Sequence, residues 1–179
     1  MSALTTGIIA HPANHHMLWR YLKTHAEDER LWDRFATHLQ RILARFPAAL
    51  AILRARLPVE AQEVYDTMVE SAPPTEMLVP TDFHPRIVAT TALLRDLEHL
   101  EEGIRFGDFH AQSLVAKPLP VALGVIYPLM VTPGWTDTMD LLIAPYTERM
   151  DLIALGIESA LERRYRLWDA LLADLTTDA

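Results

Sequence analysis

The sequence predicts an all-α protein, and three observations support this fold class. Apolar residues recur at steps of three and four over long stretches, which places them on one face of a helix. The alternation of apolar and polar residues that marks a β-strand is almost missing. Glycine is scarce, with 6 residues, while the 12 prolines fall between the helical patterns.

Length and composition suit a single domain covering residues 1–179, in which residues 1–26 form an N-terminal extension and first helix. A chain of 179 residues can bury a substantial core, and 50% of the residues are hydrophobic. Because cysteine is absent, disulfides, thiolate metal sites and iron–sulfur clusters are excluded. A metal would need histidine, carboxylate or neutral donors.

The charge pattern argues against nucleic-acid and membrane partners. The formal net charge is −8, and Lys23 and Lys117 are the only lysines, so the chain lacks the basic surface that phosphate binding requires. The longest apolar stretch, Leu119 to Val131, has 13 residues, whereas a membrane span needs about 20. Met1 to Ala10 has no positive charge before its apolar patch, unlike a signal peptide. We therefore expect a cytoplasmic protein.

The helices of the first half are predicted from periodicity and proline. Asn14 to Lys23 is a short helical candidate, and Glu27 to Phe46 is a strong one with a single apolar face. That face comprises Leu31, Phe35, Leu39, Ile42 and Phe46. Pro47 interrupts this helix, and a short one covers Ala48 to Leu57. Pro58 then opens the next helix, because its missing N–H costs nothing at a first helical position.

Four further helices are predicted after a loop from Ser71 to Pro80. Thr81 or Asp82 caps the first of them, which runs to about Gly103. The others are Phe106 to Val115, Leu119 to Val131 with a bend at Pro128, and a last helix from Thr136 or Asp137 to about Leu175 with a break near Pro145. Seven or eight helices of unequal length fit an irregular packing around a pocket better than a four-helix bundle.

Four stretches, in chain order, resemble landmarks of the globin superfamily. They are Ile42 to Leu53, His99 to Phe109, Val125 to Leu129, and Trp135 to Tyr146 with Asp151-Leu-Ile. The segment from His99 is similar to the haem-binding segment of globins, with a glycine four residues after the histidine. The nearest branch is the protoglobins and globin-coupled sensors, in a single-domain form. The resemblance implies globin-like packing around a haem pocket.

The resemblance implies that His99 is the proximal ligand of a b-type haem (heme b, iron protoporphyrin IX). A neutral imidazole on one side of the iron leaves the other side open for oxygen, carbon monoxide or nitric oxide. Asp96 lies one turn earlier and can hold the other ring N–H. Sensing or detoxification of a diatomic gas would follow. Any turnover would be the haem's own, such as nitric oxide dioxygenation or peroxidation.

The resemblance also implies the walls of the haem pocket. Leu39 and Gln62 would form the distal side, with Gln62 as hydrogen-bond donor to bound oxygen and Tyr65 as the rival donor. Leu53 stands where haem globins usually have a phenylalanine stacked on the porphyrin, which is a departure from the family pattern.

On the proximal side, Val88 and Ala92 share the helix flank of His99, so a haem could cover that flank. Arg95 stands where the family has an aliphatic residue. Its guanidinium could pair with a haem propionate.

Two alternatives stay open beside the haem globin. Asp96, His99 and Glu102 are spaced at three residues, as in di-iron carboxylate proteins, so a non-haem iron protein is one alternative. A globin-shaped interaction module without haem is the other. In either globin form we expect a homodimer through the last helices, using a stripe that includes Trp168 and Leu172.

The remaining histidines are interpreted as structural or solvated residues. His11, His15, His16 and His25 crowd the N-terminal segment and are expected to form a surface cluster. His110 is expected to be exposed.

Overall fold

The computed structural model describes residues 3–71, 78–83 and 100–177, and no β-strand occurs among them. The all-α fold class is confirmed. The α-helices are α1 (Ala3–Ala10), α2 (Met17–Thr24), α3 (Glu29–Leu43), α4 (Phe46–Arg56), α5 (Val59–Glu70), α6 (Glu101–Ala116), α7 (Leu119–Ile126), α8 (Pro133–Ile143) and α9 (Met150–Thr177). Short 3₁₀ helices cover Pro12–Asn14, Thr81–Phe83, Tyr127–Leu129 and Ala144–Arg149.

The predicted helices of the first half are confirmed, with their ends set by local chemistry. Asp28 caps α3, because its carboxylate accepts the backbone N–H of Leu31 at 3.1 Å. Pro47 lies in the first turn of α4, and Pro58 is the residue before α5. Both prolines therefore begin helices, where a missing N–H is harmless.

The glycine predicted to end a helix lies inside one. The helix α6 begins at Glu101 and continues through Gly103 and Gly107. A Cβ on Gly103 would lie 3.2 Å from the side chain of Ile42, and one on Gly107 would lie 3.0 Å from Cδ of Arg45. The two glycines therefore let α6 approach α3 and its C-terminal turn. Most of the predicted helix from Thr81 to Gly103 lies outside the described residues.

The predicted breaks in the second half are confirmed. The helix α7 is buried over Val121 to Ile126 and passes into the 3₁₀ turn that contains Pro128. The last helix is divided at Pro145, where a 3₁₀ segment separates α8 from the long α9. The helix α7 packs along α9 in the most extensive helix contact of the described chain.

The N-terminal segment shares the core with the rest of the chain. The helix α1, which the sequence pattern did not predict, buries Ile8. Trp19 on α2 packs edge-on against Trp168, with ring centroids 4.9 Å apart. Trp168 is fully buried and Leu172 packs on the core, so Trp168 does not contribute to an exposed dimer stripe. None of the helices in the described part of the chain is both long and apolar enough to cross a membrane.

Candidate functional site

Half of the predicted haem site falls outside the described residues. His99, Val88, Ala92 and Arg95 all lie in residues 84–99, and so does the suggested partner Asp96. The structure therefore describes the distal residues and the segment that begins at Leu100.

The two predicted pocket leucines are core residues. Leu39 lies on α3 and Leu53 on α4, and both are fully buried in the same apolar cluster. Both side chains are packed inside the core, and neither lines the cleft between α3 and α6 that is described below. The chain has a leucine rather than a phenylalanine at position 53. Phe46 is buried on the same helix, about two turns earlier.

The two predicted distal donors both donate to backbone carbonyls. The Gln62 amide Nε2 donates to the carbonyl of Leu57 at 3.1 Å, and the Tyr65 hydroxyl donates to the carbonyl of Leu50 at 3.0 Å. Burial raises the pKa of Tyr65 above its usual range, so this hydroxyl stays protonated. The Tyr65 hydrogen bond therefore joins α5 to α4, and the Gln62 hydrogen bond joins α5 to the turn between the two helices.

A cleft of about 330 Å³ opens between the C-terminal part of α3 and the start of α6. We call it the α3–α6 cleft, and its lining residues are His38, Arg41, Ile42, Ala44, Arg45, Leu100, Gly103 and Ile104. Its volume is in the range of small-ligand sites. Leu100 follows His99 in the sequence. One lining residue of the cleft is therefore adjacent in the chain to the predicted haem ligand.

The α3–α6 cleft has an apolar wall and a basic side. Arg45 donates through Nη1 to the Asp108 carboxylate, which holds its guanidinium over α6. His38 is buried, and its Nε2 lies 3.3 Å from the Asp174 carboxylate. Burial lowers the pKa of His38, and Asp174 only partly offsets that effect. The imidazole is therefore neutral at neutral pH.

His110 is buried, so the prediction that it is exposed is wrong. Its side chain is 2% exposed and its Nδ1 lies 3.0 Å from the carbonyl of Phe106, to which it donates. The Phe106 ring lies 4.1 Å away, centroid to centroid. Burial lowers the pKa of His110 to about 3. This imidazole is a neutral core group that helps α6 pack.

The N-terminal histidines serve as local hydrogen-bonding groups. His11 and His16 cap helices by accepting backbone N–H groups at 3.1 and 3.2 Å. His16 is also buried, and its other ring nitrogen meets Asp169 at 3.0 Å, so it is not part of a surface cluster. No group of three histidine or carboxylate side chains suited to a metal occurs in residues 3–71, 78–83 and 100–177.

Comparison with family models, with curated proteins and with solved structures found no match to the chain. The chemistry of the cleft is therefore the basis for any functional assignment. Its neutral histidine, apolar wall and two arginines suit a flat or elongated apolar ligand that carries carboxylates. The sequence analysis missed Arg41 and Arg45, because their spacing is that of solvent-facing arginines of a helix.

Proposed function

We propose that this protein binds b-type haem through His99 and reversibly binds a diatomic gas, namely oxygen, carbon monoxide or nitric oxide. The observation that supports this proposal is the α3–α6 cleft, whose lining includes Leu100, the residue after His99. The α3–α6 cleft and the sequence resemblance around His99 together support haem binding.

The cleft of about 330 Å³ is smaller than a whole haem and would hold one part of it, and its residues suit both chemical parts of haem. The porphyrin is a flat apolar surface, which Ile42, Leu100 and the half-exposed Ile104 can cover. The two propionates need cationic partners, and Arg41 and Arg45 line the same cleft, where Arg45 would have to share its guanidinium with Asp108. An arginine fork suits a carboxylate better than a lysine does.

The iron of the bound haem would supply the gas-binding centre. The chain would contribute the His99 imidazole as a ligand of the iron and the apolar cover that limits water around it. His38 lines the cleft as a neutral imidazole, and its Nε2 would have to leave the Asp174 carboxylate, 3.3 Å away, before it could contact a bound gas. Gln62 and Tyr65 would have to give up their bonds to Leu57 and Leu50 before either could donate to a gas.

A hemin titration tests the proposal. We expect one hemin per chain, a sharp Soret band, and a shift of that band after reduction and addition of carbon monoxide. The double variant Arg41→Gln/Arg45→Gln should bind hemin more weakly, because two propionate partners are lost. Arg166→Gln, which removes an exposed arginine paired with Glu162 at 2.9 Å, is the matched control. Equal affinity in all three proteins, or no Soret band at all, would contradict the proposal.

A haem-free interaction module is the second candidate, and one observation favours it. The predicted distal donors are engaged with backbone carbonyls inside a packed core, and Leu53 replaces the expected phenylalanine. Such a module would show no saturable hemin binding. The homodimer proposed for either form would have to use apolar residues other than Trp168, such as Leu155, which is 52% exposed on α9.

A further inference from the structure

Arg164 on α9 is a buried cation with only neutral partners in the described structure. Its side chain donates through Nη1 to the Asn14 amide oxygen at 3.0 Å and through Nη2 to the carbonyl of Pro128. The residue is 3% exposed, and its buried Nε has no hydrogen-bond partner among the described residues. Burial lowers its pKa to about 10, so it remains charged at neutral pH.

A buried charge of this kind is costly without a counter-charge. A guanidinium presents five N–H donors, and the two neutral acceptors occupy only part of that capacity. No carboxylate of the described residues forms an ion pair with Arg164. Removing an unpaired charge from water is unfavourable, and an incoming anion would offset that cost.

Arg164 also lines a cavity, which provides access for such an anion. This N-terminal cavity has a volume of about 320 Å³ and lies where α1, residues 78–80 and residues 129–132 meet. Its apolar wall includes Ile9, Trp19, Leu78, Leu129 and Met130, and its polar members besides Arg164 are Asn14, His15 and Thr132. One cation within a mainly apolar wall matches a ligand with one anionic end.

We propose that the N-terminal cavity binds a small organic acid, with its carboxylate on Arg164 and its apolar body against the opposite wall. A volume of 320 Å³ accommodates roughly ten water-sized groups, since a water occupies about 30 Å³. A chain of about eight carbons is therefore a suitable body. The bidentate pairing of a guanidinium with a carboxylate supplies the orientation.

This site is independent of the proposed haem site. The lining residues of the N-terminal cavity and of the α3–α6 cleft do not overlap. A protein that fails to bind hemin could still bind the acid, and the reverse also holds.

Octanoate and its neutral analogue octanamide are suitable probes, with binding followed by calorimetry and by the intrinsic tryptophan fluorescence, since Trp19 lines the cavity. We expect saturable binding of one octanoate per chain, and at least about tenfold weaker binding of octanamide, because the charge-assisted hydrogen bonds are lost. Arg164→Met should lose octanoate binding, whereas Arg166→Met, which removes the same charge from the exposed face of α9, should keep it.

A second variant covers the case in which Arg164→Met does not fold. Val131→Trp enlarges a side chain that is 37% exposed at the cavity and leaves Arg164 in place. This variant should fold and should bind octanoate at least about tenfold more weakly, since the cavity is filled. The proposal is overturned if wild-type protein does not bind octanoate, if octanamide binds equally well, or if Val131→Trp binds octanoate like the wild type. Arg164 would then be a structural cation that joins Asn14 to the end of the Tyr127–Leu129 turn.

Discussion

Gly124 and Gly156 face each other where α7 crosses α9, and neither position has room for a side chain. A Cβ on Gly124 would lie 3.1 Å from the Cα of Gly156 and would overlap the carbonyl oxygen of Ile153. A Cβ on Gly156 would lie 2.9 Å from the Cα of Gly124 and would overlap the carbonyl oxygen of Val121. The two backbones are therefore in direct contact, which explains why α7 and α9 form the main packing contact of the described chain.

The first prediction is that Gly124→Ala and Gly156→Ala destabilise the protein. The added methyl meets backbone rather than a flexible side chain, so the helices must move apart, at a cost of about 1–3 kcal/mol or more. Urea unfolding followed by circular dichroism measures the free energy of unfolding. Gly7→Ala is the control, because nothing lies within 4 Å of a Cβ there and alanine is the better helix former, by about 1 kcal/mol. A Gly124→Ala protein as stable as the wild type would refute the close crossing.

The second prediction concerns the pH dependence that His110 confers. Burial lowers its pKa from 6.5 to about 3, so between these values the unfolded chain binds a proton that the folded chain does not. The stabilising effect of keeping His110 neutral is complete above pH 6.5 and is lost as the pH falls, by up to about 1.4 kcal/mol per pH unit.

His110→Gln removes this titration. The free energy of unfolding, measured between pH 6.5 and 4.5, should fall less steeply for the variant than for the wild type. Parallel curves for the two proteins would show that His110 is protonated in the folded state, contrary to its burial among Phe46, Phe106 and Phe109.

The third prediction is that Tyr65 is primarily a structural residue. Its buried hydroxyl donates to the carbonyl of Leu50, so Tyr65→Phe should lower the free energy of unfolding by about 1 kcal/mol. Thr67→Val is a control on the same helix, since the Thr67 hydroxyl is exposed and bonds only within α5. A Tyr65→Phe protein of unchanged stability would mean that the hydroxyl does not form a stabilising hydrogen bond with the carbonyl of Leu50 on α4.

The sequence predicted most helix boundaries because proline and capping residues act locally. Asp28, Pro58 and Pro145 each do in the structure what their backbone chemistry requires. Gly103 was misassigned because glycine also serves close packing, and that use depends on Ile42, a residue distant in sequence. The burial of His110 depends on tertiary packing that helical periodicity does not show, and the sequence therefore predicted an exposed side chain.

The candidate sites were harder to predict than the helices. The sequence indicated the region of His99, but a cleft depends on how α3 and α6 pack. Arg164 was one member of a basic cluster among acidic neighbours in the sequence. Its difference from Arg163 and Arg166 is burial, which follows from the packing of the 3₁₀ helices Pro12–Asn14 and Tyr127–Leu129 onto α9.

The haem proposal is tested most directly by the absorption spectrum of the reduced carbon monoxide complex of His99→Gly with and without added imidazole. We expect a sharp Soret band in the wild type, a weakened band in His99→Gly, and recovery of the band when imidazole fills the space left by the side chain. His15→Gly should retain the wild-type band, since His15 is exposed and bonds to the carbonyl of Ile9 at 2.9 Å. A wild type without a Soret band, or a His99→Gly spectrum identical to that of the wild type, would contradict the proposal that His99 binds haem.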